Sequence, residues 1–267
     1  MNKTIVFIHG AFMTPLCWEK FIRFFESRGY KCLAPTWPYK DKPFEALRNN
    51  PPPELARLGV TEIVDHYEKI IKTQEERPIL IGHSFGGLFV QLLLDRGLGA
   101  AGVAIDSVPP KGVLPLQWTV LRSIAGVLLK WRAWKRIVYM SFSEFQYALV
   151  HTLPLAEQKA AYDRHVVPET GRIFFQAGLA PLDPHNAVRV NFNNADRAPL
   201  LLIAGTEDHL VPVSMNKSNY AKYKGSAAQT DFKEFTGRTH WIIAQDGWEE
   251  VAEYIADWLE RLPNKKV

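Results

Sequence analysis

A serine set between two glycines, Gly82-His83-Ser84-Phe85-Gly86, is the group in this 267-residue chain best placed to do chemistry. A short apolar run, Pro78-Ile79-Leu80-Ile81, precedes it, and a helix-forming stretch from Gly87 to Leu94 follows. Strand, sharp turn and helix in that order hold a serine on strained backbone, with its hydroxyl exposed at the end of a sheet. Gly82 and Gly86 remove Cβ atoms that would crowd the turn, and Gly87 lets the helix pack closely on its strand. The amide of Phe85 then lies at a helix N-terminus, where it can face a developing oxyanion. The implied chemistry is nucleophilic attack on a carbonyl.

A serine is a poor nucleophile without a base, and the base needs an orienting acid. With a nucleophile turn of this type, the acid and then the histidine follow in loops after later strands. The apolar run Leu200 to Ala204 leads into Gly205-Thr206-Glu207-Asp208-His209, and the alternating run Asp231 to Phe235 leads into Thr236-Gly237-Arg238-Thr239-His240-Trp241. Asp208 and His240 therefore stand where the acid and base are expected. Glu207 is adjacent, but one step along a loop points it elsewhere. Asp106, which ends the run Val103-Ala104-Ile105, is the second candidate acid.

The surrounding pattern supplies elements to position these groups. Ile5 to Ile8 reads as a strand buried on both faces, ended by His9-Gly10. Leu16, Phe21, Ile22, Phe24 and Phe25 mark a helix closed by Gly29, and Cys32 to Ala34 a second strand. Residues 36 to 53 are rich in proline and read as an ordered loop. Val60, Ile63, Val64, Tyr67, Ile70 and Ile71 fit one face of a helix, as do Val251, Tyr254, Ile255, Trp258 and Leu259 within Glu249 to Leu262. Strands alternating with helices predict an α/β fold with a doubly wound, mostly parallel sheet. From 112 to 194 no buried strand is evident, so this stretch is expected to be an all-helical cap inserted into a core of residues 1–111 and 195–267. All three candidate residues fall just past strand ends, the edge where open α/β sheets place their sites.

These motifs together resemble the α/β-hydrolase superfamily. The chain is similar to its short members, plant methylesterases and small bacterial esterases, through His9-Gly10-Ala11-Phe12 with Trp18, the Gly82–Gly86 turn, Gly205-Thr206-Glu207-Asp208 with Val211-Pro212, and Gly237-Arg238-Thr239-His240-Trp241. The resemblance spans the core and leaves the insertion uncovered. It implies Ser84 as nucleophile, His240 as general base and acid, Asp208 as orienting acid, and the amides of Ala11 and Phe85 as oxyanion hole. No cofactor is implied. Relatives that put an aspartate at the turn (haloalkane dehalogenases and epoxide hydrolases) are disfavoured by Ser84. Hydroxynitrile lyases carry a lysine after the triad histidine, where this chain has Trp241. Ester cleavage is the expected reaction. Thioesterase, lactonase, amidase, carbon–carbon hydrolase and perhydrolase chemistry share the same triad, and a ligand receptor with a silent triad is the alternative of another class.

The other histidines read as structural: His9 bracing the oxyanion turn, His83 flanking the serine, and His209 exposed beside the acid. His151, His165 and His185 are candidates for the pocket wall, as are Phe142, Phe145, Tyr147, Phe174 and Phe175. None of the histidines has zinc spacing, so no metal is expected. The stretch Lys130-Trp131-Arg132-Ala133-Trp134-Lys135-Arg136 is expected to be a helix with buried tryptophans and solvated bases; the competing reading is an interfacial surface. A net charge of +4, from 32 basic and 28 acidic residues, does not suggest nucleic acid as a partner. No window approaches a membrane span. Two cysteines, Cys17 and Cys32, form neither metal spacing nor a disulfide framework, read as small buried hydrophobes, and fit a cytoplasmic protein acting on a small ester.

Overall fold

Side chains alternate across each strand, and that alternation sorts the helices into two layers. The computed structural model describes residues 3–113, 117–180 and 186–263. In chain order the elements are β1 (Thr4–Ile8), α1 (Glu19–Ser27), β2 (Lys31–Leu33), α2 (Phe44–Asn49), α3 (Val60–Lys72), β3 (Ile79–His83), α4 (Phe85–Asp95) and β4 (Ala101–Ile105). Then come α5 (Trp118–Leu128), β5 (Ile137–Val138), α6 (Phe142–Leu149), α7 (Leu155–His165), β6 (Glu169–Thr170) and α8 (Arg172–Gly178). The chain closes with β7 (Leu200–Gly205), α9 (Val213–Lys222), β8 (Thr230–Phe235) and α10 (Trp248–Arg261).

Six strands form one sheet in the order β2-β1-β3-β4-β7-β8, and every neighbouring pair is parallel. Ile5 and Phe7 of β1 and Ile79 and Ile81 of β3 meet Phe21 and Phe25 of α1 and Val251 and Ile255 of α10. Val6, Ile8 and Leu80 face the other way, onto Ile63 and Tyr67 of α3 and Leu88 and Phe89 of α4. The fold is thus the mostly parallel, doubly wound α/β sheet that the strand–helix alternation predicts. The chain adds β2 on one side of β1 and then β3 on the other. That reversal opens a crevice at the C-terminal ends of β1 and β3, the usual place for a ligand in such sheets.

Two expectations need correction. The proline-rich segment 36–53 is not all loop, because it holds the short helix α2. Pro43 precedes its first residue, where a missing N–H costs nothing. The segment between β4 and β7 is not all helical either. Its helices α5 to α8 are joined by a two-stranded antiparallel ribbon, β5 with β6, of two residues each. Two residues per strand are too few to show a period.

Candidate active site

The elbow follows β3. Ser84 has φ 58° and ψ −121°, a region that a residue with a Cβ enters only when the surroundings force it. The forcing groups are backbone: the Ser84 N–H donates to the Ile105 carbonyl at 3.0 Å, and its carbonyl accepts from Gly87 and Val108. Two glycines make the geometry possible. A Cβ on Gly86 would stand 2.0 Å from the Ile8 carbonyl oxygen, and one on Gly10 would stand 2.8 Å from the Ser84 Cβ. So α4 can lie against β1, and the turn after β1 against the serine.

Asp208 and His240 meet below the elbow. The His240 Nδ1 donates to the Asp208 Oδ2 at 2.6 Å. The other carboxylate oxygen accepts the amides of Leu210 and Val211, at 2.7 and 2.8 Å. Three donors on one carboxylate fix its plane. Glu207 is exposed, and its amide is spent on the Arg238 carbonyl. The His240 backbone is held by the His83 Nε2, which donates to its carbonyl at 2.7 Å. Next to it, the Thr239 amide and hydroxyl both donate to Gln245. The His240 Nε2 is buried and has no hydrogen-bond partner among the described residues. Ser84 and His240 line one pocket, together with Ala11, Phe85 and His83.

Asp106 is also fully buried, at φ 43°. Its Oδ1 accepts the Gly205 amide at 2.8 Å, which ties the end of β4 to the end of β7. Its Oδ2 has no partner among the described residues. Burial, and then the nearby Asp208 charge, push its carboxyl well above the usual range, toward the neutral acid. Among the described residues, the ligand atoms of His83, Asp106 and His240 come within 4.8 Å of one another, close enough to hold a metal. One nitrogen of each ring is already committed to a protein partner. Burial and His240 push His83 well below the imidazole range, so it is a neutral donor.

Two residues of this site had no signature in the sequence. Lys40 and Glu169 are both fully buried and meet at 2.7 Å. The same Glu169 oxygen accepts the Phe12 amide at 3.2 Å, and its other oxygen accepts the Thr170 amide. The Phe12 carbonyl in turn accepts the Val167 amide. Phe12 itself is held at φ 61°. The turn carrying Ala11 is therefore strapped to the segment between β4 and β7 by the hydrogen bonds of Phe12 with Glu169 and Val167, and the buried Lys40–Glu169 ion pair holds that carboxylate in place. His9 lies beside this strap, stacked on Trp37 at 4.8 Å, and burial with the Lys40 charge pushes it well below the imidazole range. A lysine in a proline-rich segment and a glutamate 129 residues away share no spacing that could announce the pair.

The pocket wall is aliphatic rather than aromatic. Val108, Val120, Ile124, Val127, Leu149 and Val211 contribute to it, along with Phe12, Phe85 and Phe174. Of the five aromatic candidates in the insertion, only Phe174 lines it. Phe145 packs on Trp241, Phe142 on Tyr162, Phe175 on Trp134 and Tyr147 on His209. His165 packs on Trp241 and is pushed down to about 4 by burial; His151 stacks on His209 at 3.6 Å. Neither lines the pocket. His185 falls outside the described residues. His209 is half-buried rather than exposed, because its Nδ1 bonds the Tyr147 carbonyl.

Comparison with known proteins agrees with this architecture. The alpha/beta hydrolase family model matches residues 5–254. A pyrethroid hydrolase of Sphingobium wenxiniae is 30% identical over 93 residues, covering 33% of this chain and only 29% of that protein. A monoacylglycerol lipase of Paleococcus ferrophilus superposes with a TM-score of 0.67 at 21% identity, over 96% of this chain and 93% of that one. A methylesterase from Arabidopsis gives 0.67 at 15% identity, over 97% and 99% of the two chains. Polyneuridine aldehyde esterase gives 0.66 at 16%, over 97% and 100%. At such identities these superpositions speak for the fold, and the family match spans nearly the whole sequence: the chain belongs to the alpha/beta hydrolase family.

Proposed function

We propose that this protein is a serine hydrolase that cleaves carboxylic esters through an acyl-serine intermediate. The observation that carries the reading is the 2.6 Å bond from His240 to a fully hydrogen-bonded Asp208, on a histidine that shares a pocket with the strained Ser84. Asp208 keeps the proton on Nδ1 and leaves Nε2 as the base. His240 takes the Ser84 proton as the hydroxyl oxygen attacks the carbonyl. The amides of Ala11 and Phe85 receive the oxyanion. The alcohol leaves with the proton from His240, and water then repeats the sequence in reverse. The aliphatic pocket suits an apolar acyl or aromatic group. Thioesters, lactones and amides fit the same machinery. Esters are preferred because they are the least demanding acyl donors, and because the pyrethroid hydrolase, the methylesterase and the aldehyde esterase are named for ester or related hydrolytic chemistry. Residues 112–194 act in this reading as a cap that selects substrate. The cytoplasm suits the free thiols of Cys17 and Cys32.

A series of p-nitrophenyl esters from acetate to decanoate tests the reading, with a fluorophosphonate label traced by peptide mapping. Hydrolysis with a chain-length optimum, and label on Ser84, is the expected result. A folded protein that turns over no ester and takes no label would refute it.

The Glu169 strap gives a second test, of the oxyanion turn. Removing one partner of a buried ion pair costs about 3–5 kcal/mol, so Glu169→Gln alone should be poorly stable. Lys40→Met with Glu169→Leu removes both charges and should recover most of the stability. It leaves Phe12 without its acceptor, and kcat should then fall about 10- to 100-fold with little change in KM. Lys40→Met with Glu169→Gln keeps a carbonyl for Phe12 and should regain kcat. Equal kcat in the two double variants would mean that the strap supports only the fold.

A further inference from the structure

Helix α5 is apolar on two opposite faces. Val120, Ile124 and Val127 turn inward and line the Ser84 pocket. Trp118 lies on the opposite face and Leu121 on the flank, 74% and 46% exposed, and Leu129 just beyond the helix continues the outer face at 85%. The chain then runs into Trp131, 76% exposed, and Trp134, 41% exposed. The sequence predicts Trp131 and Trp134 to be buried in a helix. Instead Lys130–Arg136 is a turn with Arg132 in the left-handed region, followed by a single 3-10 turn over Ala133–Lys135, and only Ala133 of the stretch is buried. A grouped exposure of large apolar side chains marks a contact surface.

Charge says what covers it. The thirty-seven residues between Asp106 and Glu144 hold six basic residues and no acidic one, whereas the whole chain carries only +4. Arg122, Lys130, Arg132, Lys135 and Arg136 form no ion pair among the described residues. A second copy is a poor occupant, since a two-fold interface would set this basic patch against itself. Tryptophans beside lysines and arginines match a lipid headgroup layer: the rings sit at the boundary between hydrocarbon and water, and the bases reach the phosphates.

We propose that the outer face of α5 and the Lys130–Arg136 turn form a peripheral docking surface for anionic lipid bilayers. Docked there, the protein would hold the helix that walls its pocket against the lipid. The binding proposal stands apart from the reading of Ser84 and is tested apart from it. No helix among the described residues is long and apolar enough to cross a membrane, so the contact is with the surface.

Co-sedimentation of the full chain with vesicles decides it, using phosphatidylcholine alone or mixed equally with phosphatidylglycerol, at low and high salt. Binding is expected on the mixed vesicles only, and weaker in high salt. Trp118→Ser with Trp131→Ser should weaken it about tenfold or more. Lys130→Glu with Arg132→Glu should weaken it on the order of 30-fold or more. Leu155→Ser, at an exposed leucine outside the patch, should leave it unchanged. All these side chains are exposed and none lines the pocket, so melting temperature and turnover of a soluble ester, if the chain hydrolyses one, should match the parent. The proposal fails if mixed vesicles do not bind, or if neither double variant weakens binding. It fails equally if, without binding vesicles, the parent forms a dimer that Trp118→Ser with Trp131→Ser dissolves, or captures soluble polyglutamate: the face would then belong to a second copy or to an acidic protein.

Discussion

Replacing Ser84 by alanine is expected to lower kcat on any ester the protein hydrolyses by about 10⁴- to 10⁶-fold, since a triad without its nucleophile retains only what binding and the oxyanion hole supply. The fold should survive. The Ser84 hydroxyl makes no hydrogen bond among the described residues, whereas the backbone around it is held by Ile105, Gly87 and Val108. Alanine also keeps the Cβ, and so keeps the strain at φ 58°. Glycine at the same position would release it. Ser84→Gly should therefore be as inactive as Ser84→Ala and more stable than the parent, by about 1–3 kcal/mol less the entropy that glycine loses on folding. Steady-state kinetics and thermal melts of the two variants check both halves. Turnover retained in purified Ser84→Ala would remove the serine from the mechanism. Equal melting temperatures for the two variants would show that the elbow stores no strain.

The second large effect separates the two buried carboxyls. Asp208→Asn should cut kcat about 10⁴-fold while Asp106→Asn stays within a few-fold of the parent. In Asp208→Asn the amide oxygen keeps the Leu210 and Val211 amides, so the NH₂ group faces His240. The Nδ1 must then accept, its proton moves to Nε2, and the base is lost. Asp106 offers one oxygen to Gly205 and none to His240. Because its carboxyl is held toward the neutral acid, asparagine copies its shape and charge. The sign of the pH effect follows. A carboxyl raised in the folded state adds stability that is complete below its unfolded value, near 4, and is lost as pH rises through the folded value. Asp106→Asn should melt with the parent at acid pH and above it at alkaline pH. A pH series of melts reads this directly, and the reverse ranking of kcat would move the acid to Asp106.

Much of this molecule was legible because its signals are local. A buried parallel strand needs only a short apolar run, and β1, β3, β4 and β7 are such runs. The elbow glycines declare a turn that admits no Cβ. The short α2 was hidden by the prolines around it, and the two-residue strands β5 and β6 were hidden by their brevity.

The sequence by itself determined the layering, the strand ends and the positions of Ser84, Asp208 and His240 beyond those ends, because periodicity and turn chemistry act over a few residues. Tertiary structure alone decided which buried aspartate meets His240. Both Asp106 and Asp208 follow strands, and only the bond directions distinguish them. It also paired Lys40 with Glu169 behind the Ala11 turn, gave the pocket wall to aliphatic side chains, and left Trp118 and Trp131 in water. Each of those outcomes depends on which distant surfaces pack together. An apolar residue in the sequence records a preference for burial, and the contacts that satisfy it, or leave it exposed for another surface, exist only once the chain has closed on itself.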